Sequence, residues 1–384
     1  MEIKSYSMNW HYPTAVRVGA GRISELPKAC RQLGMTSPLL VTDPGLAALP
    51  MVEASLQLCR DAGLQAGLFS AVKGNPTGGN VADGVAALKA GQHDGVIAFG
   101  GGSAIDAAKA IALVAHQECT LWEAGPGTVD ASKMLPVVAV PTTAGTGSEV
   151  GQAVVITDDE SHVKRVIFHQ KMVPAIVILD PELTVGLPAK LTAATGMDAL
   201  AHNVEAFCAP VYHPMAEGIA LEGMRLVKDF LPRATKQGDD IDARLQMQVA
   251  SSMGAVAFQR GLGGIHAVSH SLGAVYDAHH GLLNAIVMPY MLQANRPVIE
   301  DEMARAARYL DLPKQNFDGM LDWILDLRAE LGIPHTLADI NIDDAQAETI
   351  GAMSAKDVAG KTNPQRYDAA QYQAIFLKAL RGEL

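Results

Sequence analysis

From about residue 15 to 185 the chain alternates short apolar runs with longer stretches of helical periodicity. The runs are SPLLVTD (37–43), AGLFSAV (66–72), GVIAFG (95–100), LPVVAVPTT (135–143), VVITD (154–158) and AIVILD (175–180). Between the first four lie PMVEASLQLCRDAG, GNVADGVAALKAG and SAIDAAKAIALVAH, whose apolar residues recur at helical spacing. Strands rich in Val, Ile and Leu, separated by helices, predict a parallel sheet covered on both faces. The pattern breaks at Pro181, Gly186 and Pro188, which puts a domain boundary near residue 185. Beyond it the periodicity is helical throughout, over 191–207, 214–231, 241–259, 264–277 and 281–296. EDEMARAARYLDL, FDGMLDWILDLRAELG and DAAQYQAIFLKALRG continue in the same way. Their stripes of Leu, Met and Ala are core positions. The expected fold is an α/β domain over 1–185 followed by an all-α domain over 186–384.

Composition narrows the partners. The chain has 384 residues, enough for two substantial cores, with 49% hydrophobic and 18% charged positions. A formal charge of −11 repels nucleic acid and anionic membrane, which leaves small molecules as the expected ligands. The opening MEIKSYSMNWHYPT lacks the apolar core of a signal peptide, and no run approaches the ~20 apolar residues of a membrane span. Cys30, Cys59, Cys119 and Cys208 are scattered without a CxxC pair, as expected of reduced thiols in the cytoplasm.

In a covered parallel sheet, ligands bind beyond the carboxyl ends of the strands. Asp43 closes the first run and either accepts hydrogen bonds from an adenosine ribose, favouring NAD over NADP, or simply forms a turn before Pro44-Gly45. FGGGSAIDAAK (99–109) places Gly100, Gly101 and Gly102 directly after a strand. Ser103 is positioned there to cap a helix starting at Ala104. Glycines let backbone approach a phosphate, and the helix start offers N–H groups and a positive dipole end. The same loop also reads as a tight strand-to-helix turn, and it is not GxGxxG. VPTTAGTGSEV (140–150) supplies Thr142, Thr143, Thr146 and Ser148 as hydroxyl donors for a nucleotide, or as a solvated loop. Lys164 beyond it is a cofactor contact or a solvated cation.

The second chemical signal is GMDALAH (196–202), where Asp198 and His202 lie four residues apart in a helical stretch. That spacing puts carboxylate and imidazole on one face, a turn apart. GIHAVSHSLGAVYDAHHG adds His266, His270, His279 and His280, four of only 12 histidines. One Asp and several His from two segments suit a first-row divalent ion.

Together GGGSAIDAAK, PTTAGTGSEV, GMDALAH, GLGGIHAVSHSLGA and HHGLLNAIVMPY, in this order, resemble the iron-containing (group III) alcohol dehydrogenases. That family includes lactaldehyde reductase and 1,3-propanediol dehydrogenase, and the match spans essentially the whole chain. The resemblance implies a dehydroquinate synthase-like architecture: a dinucleotide-binding α/β domain, an all-helical domain and one divalent ion in the cleft between them. It implies NAD as cofactor and Fe²⁺ as metal, with Zn²⁺ as the alternative. By residue, it implies ligands Asp198, His202, His266 and His280. The family's last ligand directly precedes a glycine, as His280 precedes Gly281, although most relatives carry proline where this chain has His279. His270 matches a histidine near the metal, a proton relay or an orienting group. Asp43, Asn75, Gly100, Gly101, Gly102, Ser103, Thr142, Thr143, Thr146 and Lys164 match cofactor contacts, and Phe258 matches an apolar wall of the substrate pocket. The implied reaction moves hydride between NAD(H) and a small primary alcohol or aldehyde, in a homo-oligomer of two or more copies. The rivals are a hydroxyacid–oxoacid transhydrogenase, a metal-dependent lyase that uses NAD transiently, and a nucleotide-binding protein with a structural metal.

Overall fold

The computed structural model describes residue 12, residues 14–161 and residues 163–384. By contact the described chain divides into two compact units. One comprises Tyr12–Thr143 with Gly147–Gly186, the other Ala144–Thr146 with Leu187–Leu384. The threonine loop is therefore split between them, because Ala144–Thr146 group with the helices rather than with the sheet.

The first unit has eight strands: β1 (Ala15–Val18), β2 (Pro38–Val41), β3 (Gly67–Phe69), β4 (Gly95–Gly100), β5 (Val137–Pro141), β6 (Ala153–Thr157), β7 (Lys164–Phe168) and β8 (Ile176–Leu179). Its helices are α1 (Leu26–Gln32), α2 (Pro44–Ala47), α3 (Pro50–Asp61), α4 (Gly78–Ala90) and α5 (Gly102–Val114). Six strands form one sheet in the order β1-β8-β5-β4-β2-β3, all pairs parallel. Strands β2, β4, β5 and β8 are buried at every residue, which is why they read as unbroken apolar runs. Leu40, Ile97, Phe99, Val138, Val140 and Ile178 pack with Leu26, Cys30, Leu56 and Cys59 from α1 and α3. Full burial of one large apolar side chain is worth about 1.5–3 kcal/mol, so this layer fixes the positions of the strand ends.

Two strands depart from the expected pattern. VVITD does not join the sheet. It forms β6, paired antiparallel with β7 in a separate hairpin. Val154 and Ile156 are buried while their neighbours are not, the alternation of a ribbon covered on one face. The edge strand β1 carries Arg17 and has exposed ends, so its four residues give no apolar run.

The second unit is helical: α6 (Ala189–Cys208), α7 (Pro214–Lys236), α8 (Ile241–Ala257), α9 (Gly264–Tyr276), α10 (His280–Tyr309), α11 (Phe317–Glu330), α12 (Ala347–Lys356) and α13 (Ala369–Arg381). The run at 281–296 and EDEMARAARYLDL are one continuous helix, α10, which passes through Pro289 and Pro297. Proline costs a helix a hydrogen bond, but α10 is buried on several sides, and packing keeps it intact. The buried Arg328 guanidinium donates to the Ile286 carbonyl in the turn before Pro289. At the centre lies α6, where every residue from Gly196 to Cys208 is buried. Such a helix buries its polar residues too, and those must find partners inside. Among the described residues no helix is long and apolar enough to cross a membrane.

Candidate active site

Three ionisable residues of α6 line up on one face. Asp198 and His202 share a face, and Glu205 lies on it one turn further on, buried with 5% of its surface exposed. α9 brings His266 and α10 brings His280. Asp198 Oδ1 lies 3.9 Å from His202 Nε2, 3.7 Å from His266 Nε2 and 3.6 Å from His280 Nε2. Ligand atoms of Asp198, His202 and His266 all fall within 4.8 Å of one another. α10 reaches this close because residue 281 is glycine. A Cβ there would sit 2.4 Å from the Ala194 carbonyl and 3.2 Å from Asp198 Cβ.

The far side of two of these imidazoles is already committed. His266 Nδ1 donates to Glu205 Oε2 at 2.5 Å, and His202 Nδ1 donates to the Gly145 carbonyl at 3.3 Å. With both Nδ1 atoms protonated, both Nε2 atoms present lone pairs, and these face each other at 3.0 Å. Asn284, four residues after His280, donates to Asp198 Oδ1 at 2.7 Å. Its Nδ2 also lies 3.2 Å from His266 Nε2 and 3.1 Å from His280 Nε2. Two amide hydrogens cannot satisfy three such acceptors. The buried Asn284 Oδ1 has no hydrogen-bond partner among the described residues. A buried pocket with more acceptors than donors calls for a cation, so the residues fit a divalent metal.

The electrostatics agree. Burial opposes ionisation of Asp198, but His202, His280 and His266 outweigh it and hold the carboxyl well below its usual range. Burial pushes His202 down to about 4, despite the attraction of Asp198. At His266 burial is overcome by Glu205 and Asp198, which raise it to about 10. Without a metal the pocket thus draws a proton onto the very nitrogen a metal needs. A divalent ion held by the same residues would answer the same field in place of that proton.

His279 and His280 have separate tasks. His279 is the N-cap of α10, and its Nδ1 accepts from the Leu282 amide at 3.3 Å. His280 points its Nε2 at the Asp198 cluster. We expect His280→Ala to lower metal content at limiting metal, while His279→Ala retains it and loses about 1 kcal/mol or less of stability. Metal analysis and thermal melts of the two variants check this assignment.

His270 sits one turn after His266, stacked on His280 at 5.3 Å between ring centroids. Its Nδ1 donates to Asp357 Oδ2 at 3.1 Å, a contact across 87 residues of sequence. Phe258 stands 5.3 Å from His202, ring to ring. It lies in a short 3₁₀ turn held by Arg260, which donates to the Val211 and Ala206 carbonyls and pairs with Glu217. Glu205, Asn284 and Asp357 were absent from the sequence-based site. Glu205 and Asn284 carry a helical-spacing signal, three residues after His202 and four after His280, whereas Asp357 carries none.

In the sheet unit the order β5-β4-β2-β3 sets four strand ends side by side. Thr142 and Thr143 follow β5, Gly100 closes β4 with Gly101 and Gly102 after it, Asp43 follows β2, and Asn75 lies in the segment after β3. The Thr142 amide donates to the Gly100 carbonyl at 3.0 Å, tying two of these ends together. Gly100 has φ of 143°, and a Cβ there would lie 2.8 Å from Ala104 Cβ, so only glycine lets the loop turn into α5. The expected Ser103 cap is not formed. α5 starts earlier, at Gly102, with Gly101 as N-cap, and the Ser103 hydroxyl donates to the Gly74 carbonyl instead. No side chain caps α5, so its first-turn N–H groups keep their capacity for an anion. Asp43 caps the four-residue α2, accepting from Leu46 N at 2.9 Å with Oδ1, as the turn-forming reading requires. Thr146 groups with the helical unit, and Lys164 opens β7 in the hairpin, opposite Thr157.

The comparisons with known proteins agree with this chemistry. A family model described as iron-containing alcohol dehydrogenase matches residues 13–181. One for the C-terminal part of the Fe-containing alcohol dehydrogenase family matches 192–380. A 4-hydroxybutyrate dehydrogenase of Cupriavidus necator is 39% identical, with 96% of this chain and 99% of that protein aligned. An NAD-dependent methanol dehydrogenase of Bacillus methanolicus is 35% identical, with 97% and 100% aligned. A crystal structure of 1,3-propanediol oxidoreductase superposes with a TM-score of 0.93 at 34% identity, covering 97% of this chain and 100% of that one. The chain belongs to the iron-containing alcohol dehydrogenase family, metal-dependent enzymes that exchange hydride between alcohols or aldehydes and NAD(H).

Proposed function

We propose that this enzyme oxidises small primary alcohols, and reduces the matching aldehydes, at a divalent ion held by Asp198, His202, His266 and His280. The observation that carries the reading is the convergence of three Nε2 atoms within 3.6–3.9 Å of Asp198 Oδ1, in a pocket with surplus acceptors. Fe²⁺ is the ion proposed, and Zn²⁺ also suits one carboxylate with three imidazoles. When bound there, such an ion lowers the pKa of an alcohol and polarises an aldehyde carbonyl.

The protein's own groups do the rest. Glu205 and the Gly145 carbonyl fix the tautomers that aim His266 Nε2 and His202 Nε2 inward. Asp357 holds the proton on His270 Nδ1, leaving His270 Nε2 as the base that takes the hydroxyl proton. Phe258 supplies an apolar wall beside His202. The N–H groups at Gly100, Gly101, Gly102 and Ser103 take the cofactor's phosphates, and Thr142, Thr143, Thr146, Asn75 and Lys164 orient the remainder. Asp43 keeps one carboxylate oxygen for the adenosine ribose, which favours NAD. In this reading residues 1–185 are the dinucleotide-binding domain and 186–384 the metal-binding, catalytic one. We also place the enzyme in the cytoplasm, as a homo-oligomer. Four free thiols support the compartment, and family resemblance supports the assembly.

Relatives named for methanol and 4-hydroxybutyrate bracket the substrates worth testing. The test measures NADH formation with small primary alcohols, diols and hydroxyacids, on protein stripped by chelator and reloaded with Fe²⁺ or Zn²⁺. We expect net NADH from a primary alcohol, lost on stripping and regained on reloading. Product formed without net NADH would instead mark a transhydrogenase or a lyase, and full activity of the stripped protein would refute the metal reading.

A further inference from the structure

The sheet unit contains a buried ion pair that the reaction above does not use. Lys109, on α5, is among the largest fully buried side chains, with 1% of its surface exposed. Its Nζ donates to the Ser148 carbonyl at 2.9 Å, the Ser148 hydroxyl at 3.2 Å and the Ala153 carbonyl at 2.7 Å. All three ammonium hydrogens are thereby used. Asp106, one turn earlier and 4.0 Å from Lys109 Nζ, accepts from the Ser148 hydroxyl and from the Val155 amide, the latter at 2.8 Å. Glu149 is buried beside them with 3% exposure and adds a second negative charge facing the ammonium.

Burying these charges is expensive, and an apolar pair of the same shape would stabilise the unit as well or better. Stability therefore does not explain them. Their partners point to another role. Each bond from Asp106 and Lys109 ends on the segment 148–155, the far end of the threonine loop and the start of β6. The near end of that loop is tied to the glycine loop by the bond from Thr142 N to the Gly100 carbonyl. The pair sits one and two turns into α5, the helix that begins at the same glycine loop. β6 in turn carries β7, whose first residue is Lys164.

We infer that Asp106 and Lys109 are positioning residues for the dinucleotide, setting the threonine loop and the β6–β7 hairpin at a fixed distance from the glycine loop. The hydroxyls of Thr142 and Thr143 and the Lys164 ammonium are thereby preorganised, and the ordering cost is met on folding rather than on binding. The inference rests on the proposed placement of NAD at these loops.

The test is an NADH fluorescence titration with steady-state kinetics on the metal-loaded enzyme. Asp106→Asn/Lys109→Met keeps both shapes and removes both charges, so the fold is expected to hold. NADH binding is expected to weaken about tenfold, the KM for NAD to rise in step, and kcat at saturating NAD to stay within about threefold. Metal content is expected to be unchanged. A folded double variant that binds NADH as tightly as the parent overturns the inference, as does one that loses kcat and binding together. If the double variant does not fold, Asp106→Asn alone decides: binding weaker by about threefold supports the brace, and parental binding refutes it. Gly101→Val separates the two layers of the argument. Parental NADH affinity in that variant refutes the loop placement itself. Weakened binding there, beside parental binding in the double variant, refutes only the brace.

Discussion

Asp198→Ala is expected to lose its metal and at least about a thousandfold in kcat/KM, because the Lewis acid supplies several kcal/mol of transition-state stabilisation. Asp198 is the one carboxylate oxygen shared by three imidazoles, at 3.6, 3.7 and 3.9 Å. Without it the pocket offers only neutral donors, and its negative charge withdraws to Glu205, on the far side of His266. The fold is expected to survive, since the core around α6 is built from Met197, Leu200, Val204 and Phe207. Metal analysis after gel filtration, NADH formation and a thermal melt check the three parts. Parental activity in a metal-free Asp198→Ala protein would remove the metal from the mechanism.

Glu205→Ala is expected to lower metal affinity by about 10–100-fold, the usual cost of deleting a partner that orients a ligand. Its carboxylate does two jobs. Oε2 holds His266 Nδ1, and Oε1 accepts from the Ile265 and His266 amides at 2.6 and 3.4 Å, at the N-terminus of α9. Without it these buried donors lose their acceptor, at about 1–3 kcal/mol for each group left unsatisfied. The variant is therefore expected to melt lower than the parent even when both are metal-free. Glu205→Gln keeps a neutral acceptor for α9 and is expected to recover most of that stability, with metal affinity still below the parent's. Competition with a chelator reads the affinity, and melts of stripped and loaded protein separate the two effects. Unchanged metal affinity in Glu205→Ala would mean that His266 needs no such support.

Much of the site was legible in the chain because its chemistry is local. Asp198 and His202 are one helical turn apart, and any helix through GMDALAH puts them on one face. Gly100–Gly102 follow an apolar run and precede helical periodicity, which defines a strand-to-helix turn before any coordinates are known. The cap of α5 shows where local reading fails. Ser103 was the favoured capping residue by type, yet the bond that satisfies its hydroxyl goes to Gly74, 29 residues away. VVITD failed in the same way. Its composition is right for a strand, but nothing in five residues says whether the partner is the parallel sheet or β7. The stretch read as helical over 281–296 stops just before Pro297, whereas α10 runs on through that proline to Tyr309, held by burial along the helix.

By itself, the sequence determined most of the sheet strands, the helical periodicity beyond residue 185, the glycine loop and the histidine-rich stretches that suit a metal ion; β1 and β7 it did not reveal. Periodicity and turn chemistry act over a few residues, so these features needed no knowledge of the fold. Only the tertiary structure decided which imidazole nitrogen faces inward, that His279 caps a helix while His280 turns to Asp198, and that Asp357 meets His270. It also decided that Asp106 and Lys109 grip the threonine loop. Apart from the His279 cap, which is local, these contacts join partners 39 to 87 residues apart in the chain. A buried polar group must find a partner, but sequence spacing does not say which distant residue the packing will bring to it.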